Sequence, residues 1–267
     1  MTMKPIQYPP LTHEAWKQGR QSYVTSPSGN LSVVAMPPLR QQQQTFQGLA
    51  GSWSRLDAPD SVSVTATLAD GLLIDGQPIH GTVTLEPSTV ITFSPTRTGK
   101  VVREVDGTLY LQVWDSDAPN LKAFKEIATY PYDAAWAVNA EYLLNPDAHR
   151  SFEVSRANDT ALHTRNAPVN IHFKWDGSEY SLAAYTTFAE HMLIVTFTDE
   201  TTGRETSVAG RIMLVPRMPE GAFVFDFNQA MLLPHEFSAV YPCPQPPTGN
   251  HLPFAVTAGE KAVLFTR

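Results

Sequence analysis

The sequence predicts an all-β protein, mainly antiparallel, with a few short helices. Short runs such as SVSVTATL, TVTLEP, LYLQVWD and VNIHFKW alternate apolar and polar residues, which is the period of a strand with one buried face. Asp-Gly pairs at 70–71, 75–76, 106–107 and 176–177 punctuate these runs, and glycine accepts the positive φ that a tight hairpin needs. Charged residues make up 17% of the chain, below the roughly 25% of an ordinary soluble domain, and 22 of 267 residues are proline. Few charges and many prolines suit strands joined by ordered loops.

The first element is LTHEAWKQGRQSYV, a short helix with Thr12 as N-cap and Ala15, Trp16 and Tyr23 as its apolar positions. SGNLSVVAM follows as a turn and strand ending at Pro37, and Gln41 to Gln44 read as an exposed loop. From Ser61 to Asp115 the alternating runs form a β-sandwich-like module. A short helix is expected around Leu121 to Ile127, stopped by Pro131. Strands resume at Leu144 or beyond and continue as a meander that curves into a sheet or partly closed barrel. The expected division is an N-terminal β module over 1–125 and a C-terminal module over 126–267, joined near residues 118–148.

A formal charge of −7 and a pI near 5.6 argue against nucleic acid or an anionic membrane as partner, since both would repel the chain. One cysteine rules out an internal disulfide, and MTMKPIQYPP lacks the apolar run of a signal peptide, so a cytoplasmic location is expected. No glycine-rich phosphate loop, G-x-S-x-G or H-E-x-x-H occurs, and neither a cofactor nor a metal is expected. His172 reads as an ordinary histidine on the wet face of its strand.

Three stretches concentrate polar chemistry. In TFTDETTGRETSVAGR, Val195, Phe197 and Asp199 share a strand face, and Ser207, Ala209 and Arg211 share one on the returning strand. Asp199 and Arg211 then meet across the hairpin, either to hold a polar ligand or as an Asp-turn with a cross-strand ion pair. In AFVFDFNQA, Phe223, Phe225 and Phe227 face the core, leaving Asp226 and Asn228 on the other side, to anchor a loop or to bind. In TAGEKAV, Glu260 and Lys261 taken alone read as solvated charges. Between these stretches, Asp226 to Pro253 carries six prolines. Its fixed φ angles suit an ordered cover over the open end of the C-terminal sheet, tied down by Asp226, Asn228 and Asn250.

FTDETTGRET, DFN-x-A, CPQPPTGNHLP and AGEK, in this order and spacing, resemble the C-terminal signature of the bacterial and archaeal family called domain of unknown function 1684. WKQGR, SPSGNL, REVDG and FKEIATYP resemble its weaker N-terminal blocks. The resemblance implies that Asp199, Thr201, Gly203, Thr206, Gly210, Arg211, Asp226, Asn228, Asn250, Gly259, Glu260 and Lys261 belong with Cys243 and the prolines around it to one recurrent set. The chain departs from the pattern twice: His235 stands where a cysteine is expected, and Ser207 where a tyrosine is. A mechanism built on a cysteine pair would here become a His235/Cys243 pair or be lost.

The resemblance carries no established activity. The leading expectation is a pocket of the C-terminal module that binds a small polar or anionic metabolite, lined by Asp199, Thr201, Thr206, Arg211, Asp226, Asn228, Asn250, Glu260 and Lys261. An alternative is a metal- and nucleotide-independent hydrolase, lyase or isomerase, with Asp226 or Glu260 as general base and Arg211 holding an anionic group. A further alternative is a scaffold that binds another protein. Oligomeric state is left open.

Overall fold

A computed structural model of the chain describes residues 12–86, 89–104, 107–145, 151–156, 159–186, 191–241, 245–247 and 249–266, with backbone alone for 151–156 and 159–165. Helix α1 (His13–Val24) begins where Thr12 accepts a hydrogen bond from the Ala15 amide. Its inward stripe is His13, Trp16, Arg20 and Val24, so Tyr23, expected on the apolar face, is 56% exposed while its neighbour Val24 is fully buried.

The next ten strands are β1 (Val33–Ala35), β2 (Gln44–Phe46), β3 (Leu49–Arg55), β4 (Val62–Ala66), β5 (Leu73–Ile74), β6 (Gln77–Pro78), β7 (Gly81–Leu85), β8 (Ile91–Thr92), β9 (Arg97–Arg103) and β10 (Leu109–Asp115). They form a six-stranded sheet, β1-β10-β9-β8-β5-β6, and a four-stranded sheet, β2-β3-β4-β7. Their alternating apolar faces meet in one core, with Trp53, Val62, Val64 and Leu85 from one sheet and Ile91, Leu109, Leu111 and Val113 from the other. Asp75-Gly76 makes the tight turn between β5 and β6, both residues at positive φ. Asp70-Gly71 does not make a hairpin. Asp70 instead caps a single 3₁₀ turn through Thr67, and Gly71 ends that turn. Asp106 of the remaining N-terminal Asp-Gly pair lies outside the described residues.

The helix expected at Leu121 to Ile127 is shorter and earlier. Helix α2 (Pro119–Ala123) starts on a proline, and from Phe124 the chain is extended as β11 (Phe124–Thr129). Its strand partner is the C-terminal β21 (Glu260–Phe265), with Ile127 opposite Val263. A partner so far along the chain leaves no local trace, and the periodicity of FKEIAT alone does not choose between helix and strand.

Strands also resume earlier than Leu144, which is the last residue of β12 (Ala137–Leu144). The hairpin β13 (Ser151–Arg156)–β14 (Asp159–Asn166) follows, then β15 (Val169–Trp175), β16 (Ser178–Thr186), β17 (Met192–Phe197), β18 (Arg211–Pro216), β19 (Gly221–Asp226) and β20 (Met231–Leu232). Seven of them form a curled half-barrel, β19-β12-β15-β16-β17-β18-β20. Its core holds Tyr142, Ile171, Phe173, Leu182, Val195, Phe197, Phe225 and Phe227, and is closed from the C-terminal side by Leu252, Val256 and Ala258. A third cluster, Val24, Leu31, Ile127, Leu232 and Phe237, packs where α1, β11 and β20 meet. No helix among the described residues is long and apolar enough to cross a membrane.

Candidate functional site

The hairpin from β17 to β18 is shorter in strand and longer in turn than alternation predicts. β18 starts at Arg211, opposite Phe197, so Ser207 and Ala209 lie in the turn and not on a strand face with Arg211. The turn closes on itself because Asp199 accepts hydrogen bonds from the Thr201 amide at 2.6 Å and the Thr201 hydroxyl, which in turn lies 2.9 Å from the Thr206 hydroxyl. Gly210 has φ +78°, and a Cβ there would collide with the Phe197 carbonyl, so the close approach of turn and strand requires glycine.

Arg211 reaches out of this turn into the closing segment. Its Nη2 donates to Asp199 Oδ2 at 2.6 Å and to the Val256 carbonyl at 2.7 Å, and its Nη1 donates to the Ala258 and Glu260 carbonyls. Both charged side chains are 1% exposed. The guanidinium also lies over the rings of Phe197 and Tyr130, 5.4 and 5.9 Å from their centroids. Both terminal nitrogens of Arg211 are thus spent on the protein itself, binding the hairpin to residues 256–260. This is a buried clasp.

Glu260 is not the solvated charge that its local sequence suggests. It is fully buried, and its carboxylate takes Arg20 Nε at 2.6 Å, Arg20 Nη2 at 3.1 Å and the Leu232 amide at 2.7 Å. A buried carboxylate persists when paired and hydrogen-bonded in this way. Next to it, Gly259 has φ +77° and stands so close to the Ala230 carbonyl that a Cβ would lie 2.5 Å from it. Arg20 was missed as a site residue by local reading; its place in the WKQGR block was the one available signal.

The remaining polar residues spread around this centre. Asp226 accepts from the Asn228 amide and side chain at 3.0 and 2.8 Å, and Asn228 exchanges hydrogen bonds with the backbone of Asp133, so the two anchor a loop and do not bond Arg211 or the Glu260 carboxylate. Asn228 is itself buried, in a 3₁₀ turn that follows β19. The amide of Asn250 bonds both backbone groups of Ala183 and the Thr196 carbonyl, bridging β16 and β17 beyond their short paired stretch. Lys261 is half-exposed, 2.9 Å from Glu205, and stacks over Tyr130, whose hydroxyl donates to the same carboxylate. Lys261 holds the Glu205 carboxyl below its usual range, while burial and that carboxylate push the Tyr130 phenol up.

The two departures noted at positions 207 and 235 meet at one carboxylate: Ser207 donates to Glu236 Oε1 at 2.6 Å, and His235 Nε2 lies 3.1 Å from the same oxygen. The bond from His235, and less so that from Ser207, keeps the Glu236 carboxyl below its usual range against the opposing effect of burial. Cys243 lies outside the described residues, and so does any pairing with His235.

Among the clefts that the described residues form, two stand out, and neither is lined by a residue of the clasp. One, of about 730 Å³, runs between α1 and β11. The other, of about 550 Å³, lies between the two N-terminal sheets. The molecule is thus an all-β protein whose curled C-terminal sheet is locked by a buried arginine–aspartate clasp and a buried glutamate–arginine pair. The chain belongs to the family described as protein of unknown function (DUF1684), whose model matches residues 122–261 and so spans the clasp but not Arg20. It is similar to an uncharacterised protein of Haloarcula marismortui solved by solution NMR, at 27% identity over 52% of this chain and 77% of that one, with a TM-score of 0.42. No curated protein matches the chain.

Proposed function

We propose that the protein binds a small polar or anionic metabolite in the cleft between α1 and β11, at the border of the C-terminal β module. The observation that carries this reading is the cleft itself. Its volume of about 730 Å³ falls in the ~300–1,000 Å³ range of small-molecule sites. Lys17, Gln18, Gln21 and Ser22 project from one side of α1, and Glu126 and Thr129 of β11 face them. Among the described residues β11 pairs with β21 alone, and its residues 126–129 line the cleft together with α1. Glu14 also lines the cleft, 3.7 Å from Lys17, so a polar or anionic ligand group shares the Lys17 ammonium with that carboxylate, and the glutamine amides both donate and accept. The clasp and the Arg20–Glu260 pair support this reading indirectly, because they fix β21 and α1, the elements on which the two walls stand.

Equilibrium dialysis of the full chain against a defined mixture of amino acids, sugar phosphates and dicarboxylates, read by mass spectrometry, tests the proposal. One compound is expected to be enriched, and Lys17→Ala with Gln21→Ala should abolish its retention at an unchanged melting temperature. No enrichment, or equal enrichment by the variant, overturns it.

A further inference from the structure

The second cleft has a different chemistry and stands independently of the first. It opens at one end of the N-terminal sandwich, where β9 begins and β10 ends. Its walls include Val34, Ala50 and Phe93, all half-buried and packed on the sandwich core, with Phe93 in ring contact with Trp53. At the lip Arg97 donates through Nε to Asp115 Oδ2 at 2.7 Å. Asp115 is almost completely buried and also accepts from the Asp117 amide, so it forms a fixed support. The Arg97 side chain is 41% exposed, and its two terminal nitrogens bond no described residue. Arginine carries five N–H donors, and a carboxylate is the acceptor that matches two of them side by side. The Ser94 and Thr96 hydroxyls lie on the same lip.

We infer that this cleft is a binding site for a small carboxylic acid with an apolar body, such as an aromatic or branched-chain acid. The carboxylate meets the Nη1–Nη2 edge of Arg97, since Asp115 already occupies Nε. The apolar body lies against Val34, Ala50 and Phe93, in a volume of about 550 Å³. Asp115 acts as a positioning residue that points the guanidinium outward. The buried Asp115 carboxylate needs a cationic partner, and Arg97 supplies it through Nε, which leaves the Nη1–Nη2 edge for a ligand group.

The test titrates the isotopically labelled full chain with hydrocinnamate and, separately, with its uncharged amide, following the NMR signals of Ala50, Ser94 and the Arg97 Nε–H group. Saturable shifts at these positions are expected in the millimolar range, with the acid about tenfold tighter than the amide. Arg97→Gln should erase that preference. Ala50→Leu, which fills the cleft and leaves the Arg97–Asp115 pair in place, should remove binding of both probes. Absence of saturable shifts with the acid, equal affinity for acid and amide, a preference that survives Arg97→Gln, or unchanged binding in Ala50→Leu each overturns the inference.

Discussion

Replacing Arg211 by methionine keeps much of the side chain's length and removes its charge and donors, which makes it the sharpest test of the clasp. The Asp199 carboxylate, 1% exposed, would keep only its bonds from Thr201. The carbonyls of Val256, Ala258 and Glu260 would lose a shared donor in a region that water does not reach. Breaking a buried pair from one side costs about 3–5 kcal/mol, a large part of the ~5–15 kcal/mol that stabilises a typical domain. Urea unfolding followed by tryptophan fluorescence suits the measurement, because Trp136 and Trp175 stack beside the same core. The midpoint should fall strongly in Arg211→Met. Adding Asp199→Asn should recover part of the loss, since no buried charge is then left unpaired, with a coupling of about 1–3 kcal/mol. An unchanged midpoint in Arg211→Met would refute the reasoning, because it would mean that the arginine faces solvent or a ligand and not the protein's own carbonyls.

Glu260→Gln removes the charge that holds Arg20 and should cost about 3 kcal/mol by the same mechanism. Hydrogen exchange in α1 should accelerate before that in β15 and β16, and an unchanged α1 would refute a tethering role. His13 gives a pH dependence. Burial, aided by Lys17 and opposed by Asp226 and Glu14, lowers its pKa from 6.5. As pH falls through about 6.5 the unfolded chain takes the proton first, so stability present above that pH is lost on approaching the lower folded pKa. Asp115 and Glu236, also lowered, act only in the carboxylate range further into acid. Wild type should therefore lose more stability than His13→Phe between about pH 7.5 and 5.5, measured as urea midpoints; identical losses would remove His13 from the account.

The parts of the fold that were legible from sequence are those with local causes. Thr12 caps α1 within one turn, Asp75-Gly76 and Asp176-Gly177 close hairpins between adjacent strands, and Phe225 and Phe227 are buried as their spacing predicts. The Asp199–Arg211 contact was legible for the same reason, because both residues flank a single turn. Reading failed where the deciding partner was remote. FKEIAT became a strand because of β21, Asn250 serves the backbone of β16 and β17, and Glu260 is buried by an arginine 240 positions away.

The sequence by itself determined that the protein is all-β, that its strands are short and hairpin-linked, and that its polar residues collect in the C-terminal segments of the family pattern. Periodicity and turn chemistry act over a few residues, and those any reader of the chain can see. The tertiary structure decided that the most charged of these residues face inward, with Arg211 holding carbonyls of the closing segment and Arg20 neutralising Glu260. It also placed the two clefts described above away from these residues. Whether a carboxylate is solvated or clasped depends on which distant donors the fold carries to it, and that free energy exists only once the chain has closed on itself.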